Sequence, residues 1–192
     1  MAHGGRTREE HHRLGRAAAA AALAAAGTTT ATVSGPPGGP PVWPTGVSGS
    51  ISHADGVAVA VVTVVTVSSP TAAPTVAHGV GIDLERLGRL PDADAAFVLA
   101  PAERVDADGH VVDATVPWAV KEATFKAISG ATPGGLASLE PSVIEVRLAP
   151  GGTAAVVVGN AAGTVNVMGA HWCVVDGFVL AVVAVTRVGP VP

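Results

Sequence analysis

The chain has 192 residues, 48% hydrophobic but only 3% aromatic, and a formal net charge of −4. That length suits one domain of ordinary size or two small halves sharing a core, and the sparse, net-acidic charge leaves no extended basic surface for duplex DNA or RNA. Cys173 is the only cysteine, which excludes an intramolecular disulfide and any multi-cysteine zinc site and fits a reducing, cytoplasmic setting.

In chain order, Arg8 to about Ala26 reads as a helix, closed by Gly27 and a threonine cluster. Its alanine run follows a basic stretch, as a signal peptide would. But the apolar part is nearly all alanine, the best helix former, and Glu9 and Glu10 precede it, so a cytoplasmic first helix is the better reading. GPPGGPP (Gly35 to Pro41) belongs to neither helix nor sheet. Gly49 to Val67 reads as strand, Asp-Gly turn and long strand. Its valine run from Val57 is too short to span a bilayer as a helix and suits a buried strand. Ser68 to Pro74 reads as a linker. AHGVGIDLE is a short strand ending in acid, followed by a mixed region and then a helix around WAVKEATFKAI. Strands are expected at Ser142 to Ala149 and Thr153 to Gly159, joined by a Pro-Gly-Gly turn, and the chain finishes with HWCVVDGFVLAVVAVTR.

ADGVAVAVVTV (Ala54 to Val64) and VDGFVLAVVAV (Val175 to Val185) share an Asp-Gly turn followed by Ala-Val-Val at one offset. Either valine-rich composition produces the match, or the chain holds two similar α+β halves with a boundary near residues 68–77 and a site between them.

Four groups of residues are candidates for chemistry. Asp83 and Glu85, at i and i+2 of a strand, point to one face about 6.6 Å apart along the chain and suit a hard cation such as Mg²⁺. The alternative is a solvated strand end facing Arg86 and Arg89. The only two lysines, Lys121 and Lys126, flank Glu122. Trp118, Glu122 and Lys126 share one helical face, while Lys121 and Phe125 lie on the next stripe. A surface Glu122–Lys126 pair worth about 0.3–0.5 kcal/mol is one reading; a phosphate-binding ammonium beside a third metal carboxylate is the other. In GSISH, small residues let backbone approach phosphate oxygens and His53 adds a donor, or His53 is an ordinary exposed residue. Arg6, Arg8, Arg13 and Arg16 form either a solvated helix face or a phosphate-binding one.

Together and in this order, WPTGVSGSISHADG, GVGIDLE and WAVKEATFKA resemble the 4′-phosphopantetheinyl transferases, above all the monomeric, two-halved branch serving siderophore, peptide and polyketide synthetases of secondary metabolism. The family signatures G-[IV]-D-x-E and W-x-x-K-E-x-x-x-K stand here as Gly81 to Glu85 and Trp118 to Lys126, and the likeness covers nearly the whole chain. The resemblance implies an α+β fold of two similar halves related by a pseudo-twofold axis. These would be residues 1–76, with the helix and GSISH hairpin, and 77–192, with the metal ligands and the lysine-bearing helix, with coenzyme A in the cleft between them.

It further implies that Asp83, Glu85 and Glu122 hold Mg²⁺ on the coenzyme A pyrophosphate, that Ser52 and His53 contact the phosphates, and that Arg8 and Arg16 reach the adenosine side. Lys126 would serve the leaving phosphate, with Glu122 beside it in the catalytic set. Lys121 would touch the pantetheine arm or another phosphate, and Glu103 would match a family general base. The reaction implied moves phosphopantetheine to a serine of an acyl or peptidyl carrier protein and releases 3′,5′-ADP, in a cytoplasmic monomer with no membrane span. Arg86, Leu87, Arg89 and Leu90 are candidates for meeting the acidic carrier, or form a solvated loop.

Members of this branch carry more chain before the first helix, which implies weaker coenzyme A binding and a missing edge strand here. A degenerate homologue that binds coenzyme A or a carrier without turnover is the competing reading. An unrelated metal-dependent phosphate-ester hydrolase is a third.

Overall fold

The computed structural model describes residues 8–29, 32–36, 39–64, 76–132, 139–159 and 164–188. The linker expected at 68–74 and the end of the long strand at 65–67 lie outside them, as does Arg6. The fold is α+β.

The alanine-rich segment forms α1 (Arg8–Ala25). Loop residues Ser34 and Val42 then exchange two backbone hydrogen bonds of 3.1 and 2.9 Å, which pinch the base of the proline-glycine loop. A hairpin follows, β1 (Val47–Ala54) and β2 (Val57–Val64), with Ala54 opposite Val57 across a two-residue turn. Asp55 and Gly56 both take positive φ, 45° and 85°, as a type I′ turn demands. Ala19 and Leu23 of α1 pack on Ile51, Ala60 and Val62 of this hairpin to make a small core.

A five-stranded antiparallel sheet carries the larger core. Its strands are β3 (Val76–Arg86), β4 (Ile144–Ala149), β5 (Thr153–Val158), β6 (Thr164–Val175) and β7 (Phe178–Val188), in spatial order β3-β7-β6-β5-β4. The short strand expected at GVGIDLE is therefore eleven residues long and forms an edge. The β6–β7 hairpin repeats the first turn, with Asp176 and Gly177 at φ 50° and 76° and Val175 opposite Phe178. The sequence repeat thus marks two hairpins of like geometry.

Between β3 and β4 lie a short helix, α2 (Asp92–Val98), a 3-10 turn at Pro101–Glu103 and then α3 (Thr115–Gly130). The Asp113 carboxylate accepts the Thr115 N–H at 2.9 Å, satisfying a free donor at the α3 start, where Pro117 is tolerated in the first turn. Ala119, Ala123, Ala127 and Ile128 of α3 bury against Val146, Val179, Val183 and Val185 of the sheet.

Helix and edge strand touch backbone to backbone. A Cβ placed on Gly79 would stand 1.9 Å from the Ala127 carbonyl oxygen, and one on Gly81 1.9 Å from that of Ala123. Glycine is required there because no side chain fits. The same strand face continues through Asp83 and Glu85, so the approach that excludes side chains at 79 and 81 brings those carboxylates alongside α3.

Candidate active site

An edge strand offers unpaired backbone groups, and the site uses them. The Leu84 N–H donates to Ser52 Oγ of β1 at 3.1 Å, and the Ile82 carbonyl accepts from Lys126 Nζ of α3 at 3.2 Å. Ser52 Oγ donates to Asp83 Oδ1 at 2.9 Å and also receives Lys126 Nζ at 3.3 Å. Lys126 Nζ lies 2.5 Å from Asp83 Oδ1. Three elements that are remote in sequence therefore converge on one carboxylate oxygen.

The other oxygen has no partner. Asp83 Oδ2 is buried and accepts no hydrogen bond among the described residues, and a buried unpaired carboxylate oxygen is costly. Burial, and then the nearby Asp83 charge, raises the pKa of both Glu85 and Glu122 above the ordinary carboxylate value. Arg89 opposes this at Glu85, and Lys126 opposes it at both. Three half- to fully-buried carboxyl groups that repel one another around an orphaned oxygen fit a hard divalent cation.

They are not drawn together as a finished cage. Among the described residues, the group whose ligand atoms all lie within 4.8 Å of one another is Asp106, Asp108 and His110 on a surface turn. There the Asp106 carboxylate accepts the backbone N–H groups of Asp108 and His110, each at 2.9 Å, which organises the turn itself.

Lys126 pairs with Asp83, so the surface Glu122–Lys126 pair weighed from the sequence is not the pairing described here. Nor do Arg86 and Arg89 both neutralise the carboxylates. Arg86 binds Asp55 at 2.9 Å and lies 4.2 Å from the centre of the Phe178 ring, so of the two arginines it is Arg89 that acts on Glu85.

Lys121 and Glu103, expected at the ligand and as general base, face each other, and Lys121 also lines a hollow with Trp118, Glu122 and Phe125. Lys121 Nζ stands 3.0 Å from Glu103 Oε2, with side chains only 3% and 2% exposed. Lys121 also donates to the Pro141 carbonyl at 2.9 Å. Glu103 accepts the Ala100 N–H at 2.7 Å on Oε2 and the Val146 N–H at 2.8 Å on Oε1. Both residues are thus engaged with protein partners, and none of the described hydrogen bonds or ion pairs joins them to Ser52, Asp83 or Lys126. A buried pair of this kind has no signal in a single sequence, since its members lie 18 residues apart on different elements.

The arginines and His53 line a cleft of about 590 Å³ between α1 and the hairpin, which takes Arg8 and Arg16 on one side and His53 on the other. Arg13 is exposed outside that lining. A second hollow of about 390 Å³ begins at His53 and runs past Glu85 and Arg89 to Trp118. A third, of about 250 Å³, continues from Trp118 past Glu122 to Phe125. His53 and Trp118 therefore link basic cleft, carboxylates and apolar slot into one groove. Sequence reasoning passed over His11, which also lines the basic cleft. Helical spacing would have found it, because residues 8, 11, 12, 15 and 16 share one face of α1.

Comparison with known families agrees with this geometry. The 4′-phosphopantetheinyl transferase N-terminal domain matches residues 1–63, the part that holds α1 and the hairpin. The 4′-phosphopantetheinyl transferase superfamily matches residues 79–183, which carry Asp83, Glu85, Glu122 and Lys126. No curated protein matches the chain. With more than half of its length matched by the superfamily domain, and the N-terminal domain matched ahead of it, the chain belongs to the 4′-phosphopantetheinyl transferase superfamily.

Proposed function

We propose that this protein is a Mg²⁺-dependent transferase that moves 4′-phosphopantetheine from coenzyme A to a serine hydroxyl of an acyl or peptidyl carrier protein and releases 3′,5′-ADP. The observation that carries the reading is the buried, unpartnered Asp83 Oδ2, with Lys126 on the other oxygen of that carboxylate and with Glu85 and Glu122, both under its charge, lining a groove that has a basic end. Residues 1–76 and 77–192 form its two halves, and the ligand lies where the hairpin meets β3 and α3. The protein acts as a cytoplasmic monomer. Among the described residues no helix is long and apolar enough to cross a membrane.

Asp83, Glu85 and Glu122 would hold Mg²⁺, which when bound neutralises pyrophosphate charge and favours departure of the nucleotide. The rest of the catalysis is positioning by the chain. Arg8, Arg16 and His53 bind the nucleotide end of coenzyme A in the basic cleft, and Ser52 fixes Asp83 through its hydroxyl. Lys126 presents its ammonium to the oxygen of the leaving phosphate, where negative charge grows. For the serine proton, Glu122 is half-buried in the groove with no described ion pair, whereas Glu103 would first have to release Lys121 and two backbone N–H groups. The apolar slot of Trp118, Phe125 and Leu139 suits the pantetheine arm, and the rim at Arg86, Leu87, Arg89 and Leu90 suits an acidic carrier.

The test is the intact mass of an unmodified carrier domain incubated with the protein, coenzyme A and Mg²⁺. A gain of one phosphopantetheine, lost in Asp83→Ala, supports the reading. No gain on several carriers, from folded protein that still binds coenzyme A, favours a homologue that binds without turnover.

A further inference from the structure

Ser52, expected on the phosphates of coenzyme A, has no atom to spare for them. Its hydroxyl donates its one proton to Asp83 Oδ1 at 2.9 Å, and its oxygen receives the Leu84 N–H at 3.1 Å and Lys126 Nζ at 3.3 Å. A serine hydroxyl holds one proton and two lone pairs. All three places are filled by protein, and a phosphate oxygen would need the proton. The pleat of β1 explains the direction, because successive side chains of a strand point to opposite faces. Ile51 and His53 line the groove, whereas Ser52 between them is buried against β3 and α3.

The hydroxyl makes the two oxygens of Asp83 unlike. Oδ1 carries both Ser52 and Lys126, and Oδ2 is buried with no partner. An ammonium is a compact charge on a flexible stem, and by itself it would follow whichever oxygen turned toward it or lie between the two. The Ser52 hydroxyl cannot follow. It stands on a strand and is held in turn by the N–H of Leu84, the residue next to Asp83. A closed ring therefore runs from the Asp83 carboxylate through Ser52 to the backbone one residue on. That ring fixes the carboxylate about its terminal torsion, which is broad for an unrestrained aspartate.

We propose that Ser52 is a positioning residue for the metal and not a phosphate ligand: it holds Asp83 so that Oδ2 stays turned away from Lys126 and is kept for the divalent cation. The inference rests on the functional reading above, in which Asp83 helps to hold Mg²⁺. Partners that hydrogen-bond a ligating carboxylate govern metal affinity, and losing one costs about tenfold or more. Without the hydroxyl, Lys126 is free to bridge both oxygens, and the N–H of the buried Leu84 loses its acceptor.

The test uses Mn²⁺ as a spectroscopic stand-in for Mg²⁺. Full-length protein saturated with coenzyme A is titrated with Mn²⁺, and the free ion is counted by electron paramagnetic resonance, with coenzyme A alone as the blank. Coenzyme A affinity is measured separately by calorimetry in EDTA. Ser52→Ala should raise the Mn²⁺ dissociation constant by about tenfold and leave coenzyme A affinity in EDTA unchanged. Ser52→Thr, which returns the hydroxyl on a residue that strands favour, should restore Mn²⁺ affinity. A purely structural Ser52 would not give this split, since a loosened hairpin weakens coenzyme A as well. Should Ser52→Ala not fold, Ser52→Cys, whose thiol is a weak donor, takes its place with the same expectation. Unchanged Mn²⁺ affinity, an equal loss of coenzyme A affinity in EDTA, or no rescue by Ser52→Thr overturns the inference and leaves the functional reading intact. If folded wild-type protein binds no coenzyme A, or binds it but takes up no Mn²⁺, the functional reading fails and the inference fails with it.

Discussion

Lys121 of α3 and Glu103 of the preceding 3-10 turn form an ion pair of 3.0 Å with both side chains almost fully buried. Through Glu103 Oε1 the pair reaches the Val146 N–H of β4, and through Lys121 Nζ the Pro141 carbonyl, so it locks α3 to the far side of its own domain. Glu122 is the next residue along that helix. Removing one member leaves an uncompensated buried charge, so Glu103→Met and Lys121→Met should each cost about 3–5 kcal/mol. Urea denaturation would show this as a lower midpoint. The double replacement Glu103→Met/Lys121→Met should recover part of the loss, and the non-additivity measures the coupling.

The same pair decides between two roles for Glu103. Glu103→Gln keeps an oxygen for the Val146 N–H but cannot accept a proton at neutral pH. If the carboxylate only anchors α3, folded Glu103→Gln retains the acid limb of the rate–pH profile. Loss of that limb, in protein that circular dichroism shows to be still folded at the assay temperature, would assign Glu103 the serine proton.

Glu85 and Glu122 make the protein pay for its site when no cation is bound. Their folded pKa values are raised, so their contribution to stability is full below the unfolded carboxylate value and is lost as pH rises through the folded value. Without divalent ions the melting temperature should therefore fall from mildly acidic to neutral pH, and Mg²⁺ should reverse the fall at neutral pH. Glu122→Gln should flatten the profile, raise the metal-free melting temperature at pH 7 and abolish transfer. A melting profile in EDTA that is level across this range, in wild type and variant alike, would contradict it.

Gly81→Ala should be among the most damaging single-methyl additions in the chain. The new Cβ would meet the Ala123 carbonyl oxygen at 1.9 Å and the Ala127 nitrogen at 2.6 Å, so α3 must leave β3 or the strand must bend. A loss of about 3 kcal/mol or more is expected, at the upper end for overpacking. Gly159→Ala, where the nearest described atom lies at 3.8 Å, is the control and should melt within a few degrees of wild type. Thermal melts followed by circular dichroism would compare the two.

Much of this architecture was readable before any coordinates. Alanine propensity marked α1, two of the three Asp-Gly dipeptides marked the hairpin turns, and the acid-ended strand and lysine-bearing helix were found in place. The first half of β6 was not read. Thr164 to Val167 alternates polar with apolar residues, but Met168 follows Val167 directly at a register irregularity between Val167 and Gly169, so the period breaks there. The two lysines show the limit at the site. Nine residues of sequence cannot say that one ammonium turns inward to a buried glutamate while the other, five positions on, turns to the edge strand. That division is made by partners supplied from β3, β4 and the turn before α3.

Ser52 has a consequence of a different kind. The two larger apolar cores share no residue, and the hydrogen bonds described between the hairpin and the sheet converge on its hydroxyl, with Arg86–Asp55 at the rim. The clasp that holds the hairpin down is thus assembled from the atoms that a substrate would disturb. Any molecule that draws Lys126 or Asp83 into new contacts also alters how tightly the hairpin is seated, so occupancy and adhesion become a single thermodynamic variable. A protein built this way would report what it has bound through the looseness of a joint rather than the movement of a lid.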